Sequence, residues 1–129
     1  MSITVQWDNM AQTVLRWEFH GDWTWEEMLE VQKQGAALMC QVDHIVDSIV
    51  DLSGCSTIPA NVISMYKIFR ERLLLPDNRG VTLVVGCSPH MRAIISTFSK
   101  VSNFYGQDFS LADSLEEARL ILGDERLTA

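Results

Sequence analysis

One short segment of the chain combines hydroxyl groups, a thiol, a glycine and a proline. It follows an apolar, β-branched run from Ile45 to Leu52, which is typical of a buried strand. A helical pattern begins near Pro59, so the segment is predicted to lie at the carboxyl end of a strand, where α/β sheets usually bind their ligands. We expect it to be the recognition surface of the protein. Its residues are Ser53, Gly54, Cys55, Ser56, Thr57, Ile58 and Pro59.

Thr57 is the hydroxyl in this segment with the clearest chemical use. It stands at a predicted helix start, where a phosphate would meet free N–H groups and the positive end of the helix dipole. Thr57 is therefore a candidate phosphoacceptor, and Ser56 and Ser53 are weaker candidates. The plain alternative is that Thr57 only caps the helix, because threonine is a common cap.

Two thiols and an imidazole are predicted at the same edge of the sheet. Cys55 and Cys87 each follow a predicted strand, and His90 opens the next helix. A thiolate near a helix start and a histidine is a known arrangement for a nucleophilic cysteine. The sequence offers no third orienting group and no oxyanion-stabilising signature, so we expect buried, unreactive thiols and no catalytic activity.

All four tryptophans lie in the first quarter of the chain, where they favour a core, an apolar ligand pocket or a partner patch. Of the four tryptophans, Trp17 is predicted to pack in the core and Trp23 or Trp25 to be partly exposed. His20 and His44 are isolated and expected to face solvent. No metal site and no cofactor are predicted. The tryptophans are Trp7, Trp17, Trp23 and Trp25.

The hydrophobic patterns predict one α/β domain over residues 1–129, with a mixed sheet and element order ββαβαβα, followed by a short last strand and a further helix. The strand ending at Leu52 and the strand Val81 to Val85 are predicted to be parallel neighbours, because a helix separates them. Thr24 with Glu27, and Ser114 with Glu117, are predicted capping boxes, and Gly123 is predicted to stop the last helix. The predicted strands are Ile3 to Trp7, Thr13 to Phe19, the run ending at Leu52, Val81 to Val85 and Asp108 to Ala112. The predicted helices are Trp25 to about Val42, Pro59 to Leu74, a helix capped by Ser88 and another after Ser114.

Charge and composition exclude several classes of function. The formal net charge of −7 argues against nucleic-acid binding and against charge-driven binding to anionic membranes. No apolar run is long enough to span a membrane, and the first residues lack the pattern of a signal peptide. Three widely spaced cysteines favour a reduced, cytoplasmic compartment.

With these elements in place, the chain resembles the STAS domain of the SpoIIAA-like anti-sigma factor antagonists. The resemblance rests on Ile49 to Ser53, Val81 to Cys87, Ser88 to Arg92 and Leu111 to Ala118. It implies a mixed sheet of four to five strands with helices packed against it. It also implies phosphorylation, by a kinase that is the anti-sigma factor, at the first serine of an Asp-Ser-Ser-Gly motif. In this chain that motif falls on Ser56, Thr57, Ile58 and Pro59, so only a hydroxyl is kept.

The sequence thus predicts a non-catalytic, STAS-like protein-interaction module in bacterial signalling, an anti-sigma factor antagonist regulated by phosphorylation. Its expected partner is a protein such as a kinase or anti-sigma factor, and a homodimer is compatible with the sequence. The alternative is a SpoIIAA- or Sec14-like binder of a lipid or other apolar small molecule. A cysteine-dependent enzyme is the third and weakest interpretation.

Overall fold

The computed structural model of the chain describes residues 2–55, 59–60, 64, 76–94, 96 and 109–128. Five strands and three helical segments lie within these ranges. The strands are β1 (Ile3–Trp7), β2 (Val14–His20), β3 (Val46–Gly54), β4 (Arg79–Val85) and β5 (Phe109–Leu111). The helical segments are α1 (Trp25–Met39), α2 (residues 89–94) and α3 (Leu115–Thr128). Most of the helix predicted from Pro59 to Leu74 falls outside the described residues.

The strands form one mixed sheet in the order β1-β2-β3-β4-β5. β1 and β2 are an antiparallel hairpin, with Ile3 opposite Phe19 and Trp7 opposite Leu15. β2, β3, β4 and β5 are parallel. The predicted α/β class is confirmed, and so is the prediction that β3 and β4 are parallel neighbours.

One face of the sheet carries the larger core, because the hairpin strands alternate apolar and polar residues. Leu15, Trp17 and Phe19 all point to this face and are buried, as predicted for Trp17. They pack with Val31 and Met39 from α1. α1 therefore packs on this face, because the alternating apolar residues of β2 meet the apolar side of the helix.

The opposite face has a second core, which α3 covers. Ile49 and Leu83 from the central strands pack there against Ala118 and Leu122 of α3. This core lies over β3 and β4, while exposed Thr4 and Gln6 occupy the same face of β1. The polar half of this face is thus left outside the second core.

Helix boundaries follow the predicted caps, with three differences. The Ser114 hydroxyl accepts the Glu117 N–H (3.1 Å) as predicted, but the Glu117 carboxylate accepts the Asp113 N–H (2.9 Å) and not that of Ser114. The Thr24 hydroxyl accepts the Glu27 N–H (3.2 Å), but the Glu27 carboxylate accepts the Ser2 backbone N–H (3.1 Å) instead of reaching back. The predicted stop at Gly123 is wrong, since α3 continues to Thr128. A Cβ at Gly123 would meet no atom within 4 Å, so this glycine serves no close contact and helix propagation outweighs its flexibility.

Candidate functional site

The described residues of the predicted recognition segment lie at the carboxyl edge of the parallel strands. Ser53 and Gly54 are exposed, Cys55 and Pro59 are half-buried, and Ala60 is exposed. β3 continues through Ser53 and Gly54, so these two residues do not break the strand as the sequence suggested. Ser56, Thr57 and Ile58 lie outside the described residues, and their assignment to the recognition surface stays a prediction.

Ser53 is held by a carboxylate two residues before it in β3. Asp51 Oδ1 accepts hydrogen bonds from the Ser53 backbone N–H (3.0 Å) and from its hydroxyl (2.6 Å). A phosphate on Ser53 would place negative charge beside Asp51 and would break the hydroxyl bond. Ser53 is therefore better suited to fix the start of the loop than to accept a phosphate.

The backbones of β2, β3 and β4 approach one another closely at this edge. A Cβ at Gly54 would lie 2.7 Å from the Phe19 carbonyl oxygen, and one at Gly86 would lie 2.5 Å from the Ser53 nitrogen. Gly86 also has φ +77°, a left-handed conformation that favours glycine. At both positions only glycine fits without movement of the neighbouring backbone. The close approach of the three strands at this edge therefore depends on the two glycines.

Cys55 turns back against the end of β3. Its backbone N–H donates to the Leu52 carbonyl (3.1 Å), and its thiol donates to the same oxygen (3.5 Å). Burial raises the pKa of the Cys55 thiol; the Trp23 side chain opposes this and the Asp51 charge adds to it. Cys55 is thus a packing residue of the loop and has little thiolate at neutral pH.

A tryptophan from α1 holds the far end of the loop. The Trp25 indole N–H donates to the Ala60 carbonyl (2.8 Å), across 35 residues of sequence. Trp25 stacks edge-on against Trp23, and Trp23 against Phe19, with ring centroids 5.0 Å apart in each pair. Trp23 is buried and Trp25 half-buried, so of the two only Trp25 has the predicted partial exposure. Sequence reasoning missed the Trp25–Ala60 contact.

The β4 side of the edge repeats the strand–loop–helix arrangement. The Ser88 hydroxyl accepts the Met91 N–H (3.2 Å), which confirms Ser88 as the cap of α2. Burial raises the pKa of the Cys87 thiol, the Arg92 charge lowers it and the Cys55 thiolate raises it further. His90 is exposed, and within the described ranges no hydrogen bond joins it to either thiol.

The other histidines are exposed and have neighbours of their own. His20 Nε2 lies 3.4 Å from a Glu18 carboxylate oxygen. His44 Nε2 donates to the Gln12 carbonyl (2.7 Å), which ties the loop before β3 to the hairpin loop. In the described part of the chain, no group of three or more His, Cys, Asp or Glu side chains is arranged to hold a metal ion.

A cleft of about 260 Å³ lies away from this edge, at the amino ends of the parallel strands. It is lined by Asp8, Asn9, Val14, Arg119, Leu122 and Gly123. The space under the helix predicted after β3, where a bound apolar ligand would favour the alternative function, involves residues outside the described ranges. The apolar-ligand hypothesis therefore stays a prediction.

The chain matches no model of a known protein family, and no curated protein sequence matches it significantly. Its resemblance to the STAS domain accordingly stays a prediction. None of the helices that the structure describes is both long enough and apolar enough to cross a membrane.

Proposed function

We propose that the protein is a non-catalytic interaction module that binds a cytoplasmic signalling protein through the carboxyl edge of its sheet. The docking surface is the segment Ser53 to Pro59 together with the helix start after it. The observation that carries the proposal is a segment that is exposed at Ser53 and Gly54, the last residues of β3, and held at both ends. Asp51 holds its beginning and Trp25 holds its end.

Ends that are already held favour binding, because less conformational entropy is lost there when a partner docks. The close approaches at Gly54 and Gly86 add to this rigidity. The raised pKa values of Cys55 and Cys87 support a structural role for both thiols. These features suit a recognition surface better than a nucleophilic centre, which needs a thiolate and an orienting base.

Regulation would act through Thr57. A phosphate on this side chain adds close to two negative charges in the middle of the docking surface. A partner would then have to desolvate that charge or leave it unpaired, which weakens docking strongly. The STAS resemblance supports a kinase or anti-sigma factor as the partner, since the family's phosphorylated serine falls on Thr57.

The test is to recover a partner with the wild-type protein from its native cytoplasm and to measure its affinity after purification. Thr57→Glu and Ser56→Glu place a negative charge in the segment. Met10→Glu is the matched control, because Met10 is fully exposed in the hairpin loop at the opposite end of the sheet. We expect Thr57→Glu to weaken binding roughly tenfold or more, and Met10→Glu to bind like wild type.

The proposal is wrong if Thr57→Glu and Ser56→Glu both bind the partner as tightly as wild type. The segment would then not be the interface, and the binding of an apolar small molecule would become the better hypothesis. Circular dichroism of each variant checks that the fold is kept. Charge near a helix N-terminus is favourable, so we expect folding to be nearly unchanged.

A further inference from the structure

The outer edge of β1 carries backbone groups that point away from the sheet. The His20 N–H donates to the Ser2 carbonyl (2.7 Å), and the Asp8 N–H donates to the Val14 carbonyl (2.8 Å). Hydrogen-bonded pairs alternate along an antiparallel ladder, so the even-numbered residues of β1 bond to β2. The N–H and C=O groups of Ile3, Val5 and Trp7 therefore face outward. Within the described ranges, β1 is an end strand of the sheet.

The composition of β1 leaves this edge open to pairing. Its sequence is Ile-Thr-Val-Gln-Trp, with no charge, no proline and no bulge in its pairing with β2. Edge strands usually carry such features, because unpaired N–H and C=O groups otherwise attract another strand. The edge of β1 thus has the properties of a strand that pairs with another strand. The net charge of −7 on each copy acts against this pairing.

We propose that two copies of this chain associate through their β1 strands, antiparallel, about a twofold axis at Val5. In this register the outward groups of Val5 bond to those of the partner copy's Val5. Those of Ile3 bond to Trp7 of the partner subunit. The result is a continuous sheet that runs through both copies. An antiparallel strand pair suits a twofold axis because both strands present the same donors and acceptors.

The side-chain pattern of β1 fits this pairing because it is symmetric about Val5. Apolar Ile3, Val5 and Trp7 point to the face covered by α1, while Thr4 and Gln6 are exposed on the other face. Antiparallel pairing about Val5 sets apolar side chains opposite apolar ones. It also sets the Thr4 hydroxyl opposite a Gln6 amide. Cross-strand pairs of these kinds stabilise sheets.

The central charges of the hairpin do not oppose the association. Arg16 and Glu18 lie on β2, one strand in from the edge, and pair with each other at 2.5 Å. The remaining repulsion comes from the overall charge of −7 on each copy, which salt screens. Association is therefore expected to strengthen as the ionic strength rises.

The first test is sedimentation of the full chain over a concentration series. Val5→Pro removes an outward N–H and leaves the ladder to β2 intact, since Val5 does not bond to β2. Val5→Thr is the matched control, because it keeps the N–H and a β-branched side chain. We expect wild type and Val5→Thr to form dimers with similar dissociation constants. The dissociation constant of the Val5→Pro dimer should be higher by roughly tenfold or more.

A second test does not depend on how Val5→Pro folds. In the hydrogen-bonded antiparallel pair the two Val5 Cα atoms would lie about 5.5 Å apart, within disulfide range. With the exposed Cys40 changed to Ser, Val5→Cys is expected to form a covalent dimer with oxidised glutathione, which takes up both hydrogens. Thr4→Cys is the control, because Thr4 faces Gln6 and not its own copy.

Two outcomes overturn the proposal. One is a wild-type chain that sediments as a monomer throughout the concentration series and at high salt. The other is a dimer that Val5→Pro leaves unchanged while Val5→Cys crosslinks no better than Thr4→Cys. Neither outcome bears on partner binding at the carboxyl edge, because β2 lies between the outer edge of β1 and the end of β3.

Discussion

At the scale of single residues, Asp8 forms ion pairs with two arginines that belong to different elements. Its side chain is only 4% exposed, yet it accepts from Arg16 (2.5 Å) and from Arg119 (2.7 Å). Arg16 belongs to β2 and Arg119 to α3, so one carboxylate ties the hairpin to the last helix. Burial raises the pKa of Asp8, but the hydrogen bonds and the positive charges of Arg119 and Arg16 together outweigh it, so the pKa of Asp8 is lowered from its ordinary value of 3.8.

Asp8→Asn should therefore destabilise the protein by about 1–3 kcal/mol, the usual cost of losing hydrogen bonds to a charged group. Urea denaturation at about pH 7 measures this, and exposed Asp77→Asn is the control. Because the pKa of Asp8 is lowered by folding, its stabilisation is present above the ordinary pKa of 3.8 and is lost as the pH falls through the folded value. A loss equal to that of Asp77→Asn, or a difference that persists in strong acid, would contradict this account.

The three thiols should differ in reactivity. Cys40 is exposed, whereas burial raises the pKa values of Cys55 and Cys87. Because only the thiolate reacts, a thiol reagent at neutral pH should label Cys40 first and the other two slowly. Mass spectrometry of a labelling time course assigns each rate. Labelling of Cys55 or Cys87 well ahead of a model thiol would instead revive the enzyme hypothesis.

Among single residues, local roles were predictable and distant contacts were not. Ser88 was recognised as a cap because its partner Met91 is only three residues away. The bond from Trp25 to Ala60 spans 35 residues and leaves no periodic or local signal. The contact of Asp8 with Arg119 leaves no local signal for the same reason, since the two residues lie 111 positions apart along the chain.

At the scale of elements, α1 packs on the sheet through a glycine. A Cβ at Gly35 would lie 2.1 Å from the Trp17 ring, so the indole lies directly on the helix backbone. Gly35 is buried in the middle of the helix, where glycine would ordinarily weaken it. The close approach of β2 and α1 is the physical reason for glycine at this position.

Gly35→Ala should destabilise the protein by about 1–3 kcal/mol, because the added methyl group overpacks the core. Gly123→Ala is the matched control within α3, since a Cβ there meets nothing within 4 Å. That change should stabilise by up to about 1 kcal/mol through helix propensity. Denaturation midpoints of the two variants should therefore move in opposite directions. A stabilising Gly35→Ala would show that α1 does not rest on Trp17.

Elements with a clear period were predicted well, and their ends less well. β1 matches Ile3 to Trp7 because strict alternation identifies a half-buried strand. The predicted ends depended on glycine, which can either end a helix or strand or lie inside it. Gly123 lies inside α3, and Gly54 ends β3 after pairing with His20, because backbone contacts with β2 extend that strand.

At the scale of the whole molecule, the sheet separates two hydrophobic cores, and each described helix packs in one of them. The parallel pairing of β3 and β4 was predictable from the helix expected between them. Which face each helix covers was not, because α1 and α3 both have one apolar side. The face is set by which residues of β2, β3 and β4 point toward the helix after the strands have paired.

The most direct test of partner binding at the carboxyl edge is amide hydrogen exchange of the chain with and without its purified partner. We expect the partner to slow exchange at Gly54, Cys55, Gly86 and Cys87. Exchange in the hairpin loop from Asp8 to Thr13, at the opposite end of the sheet, should stay unchanged. Protection confined to the hairpin loop, with none at the ends of β3 and β4, would contradict the proposed function.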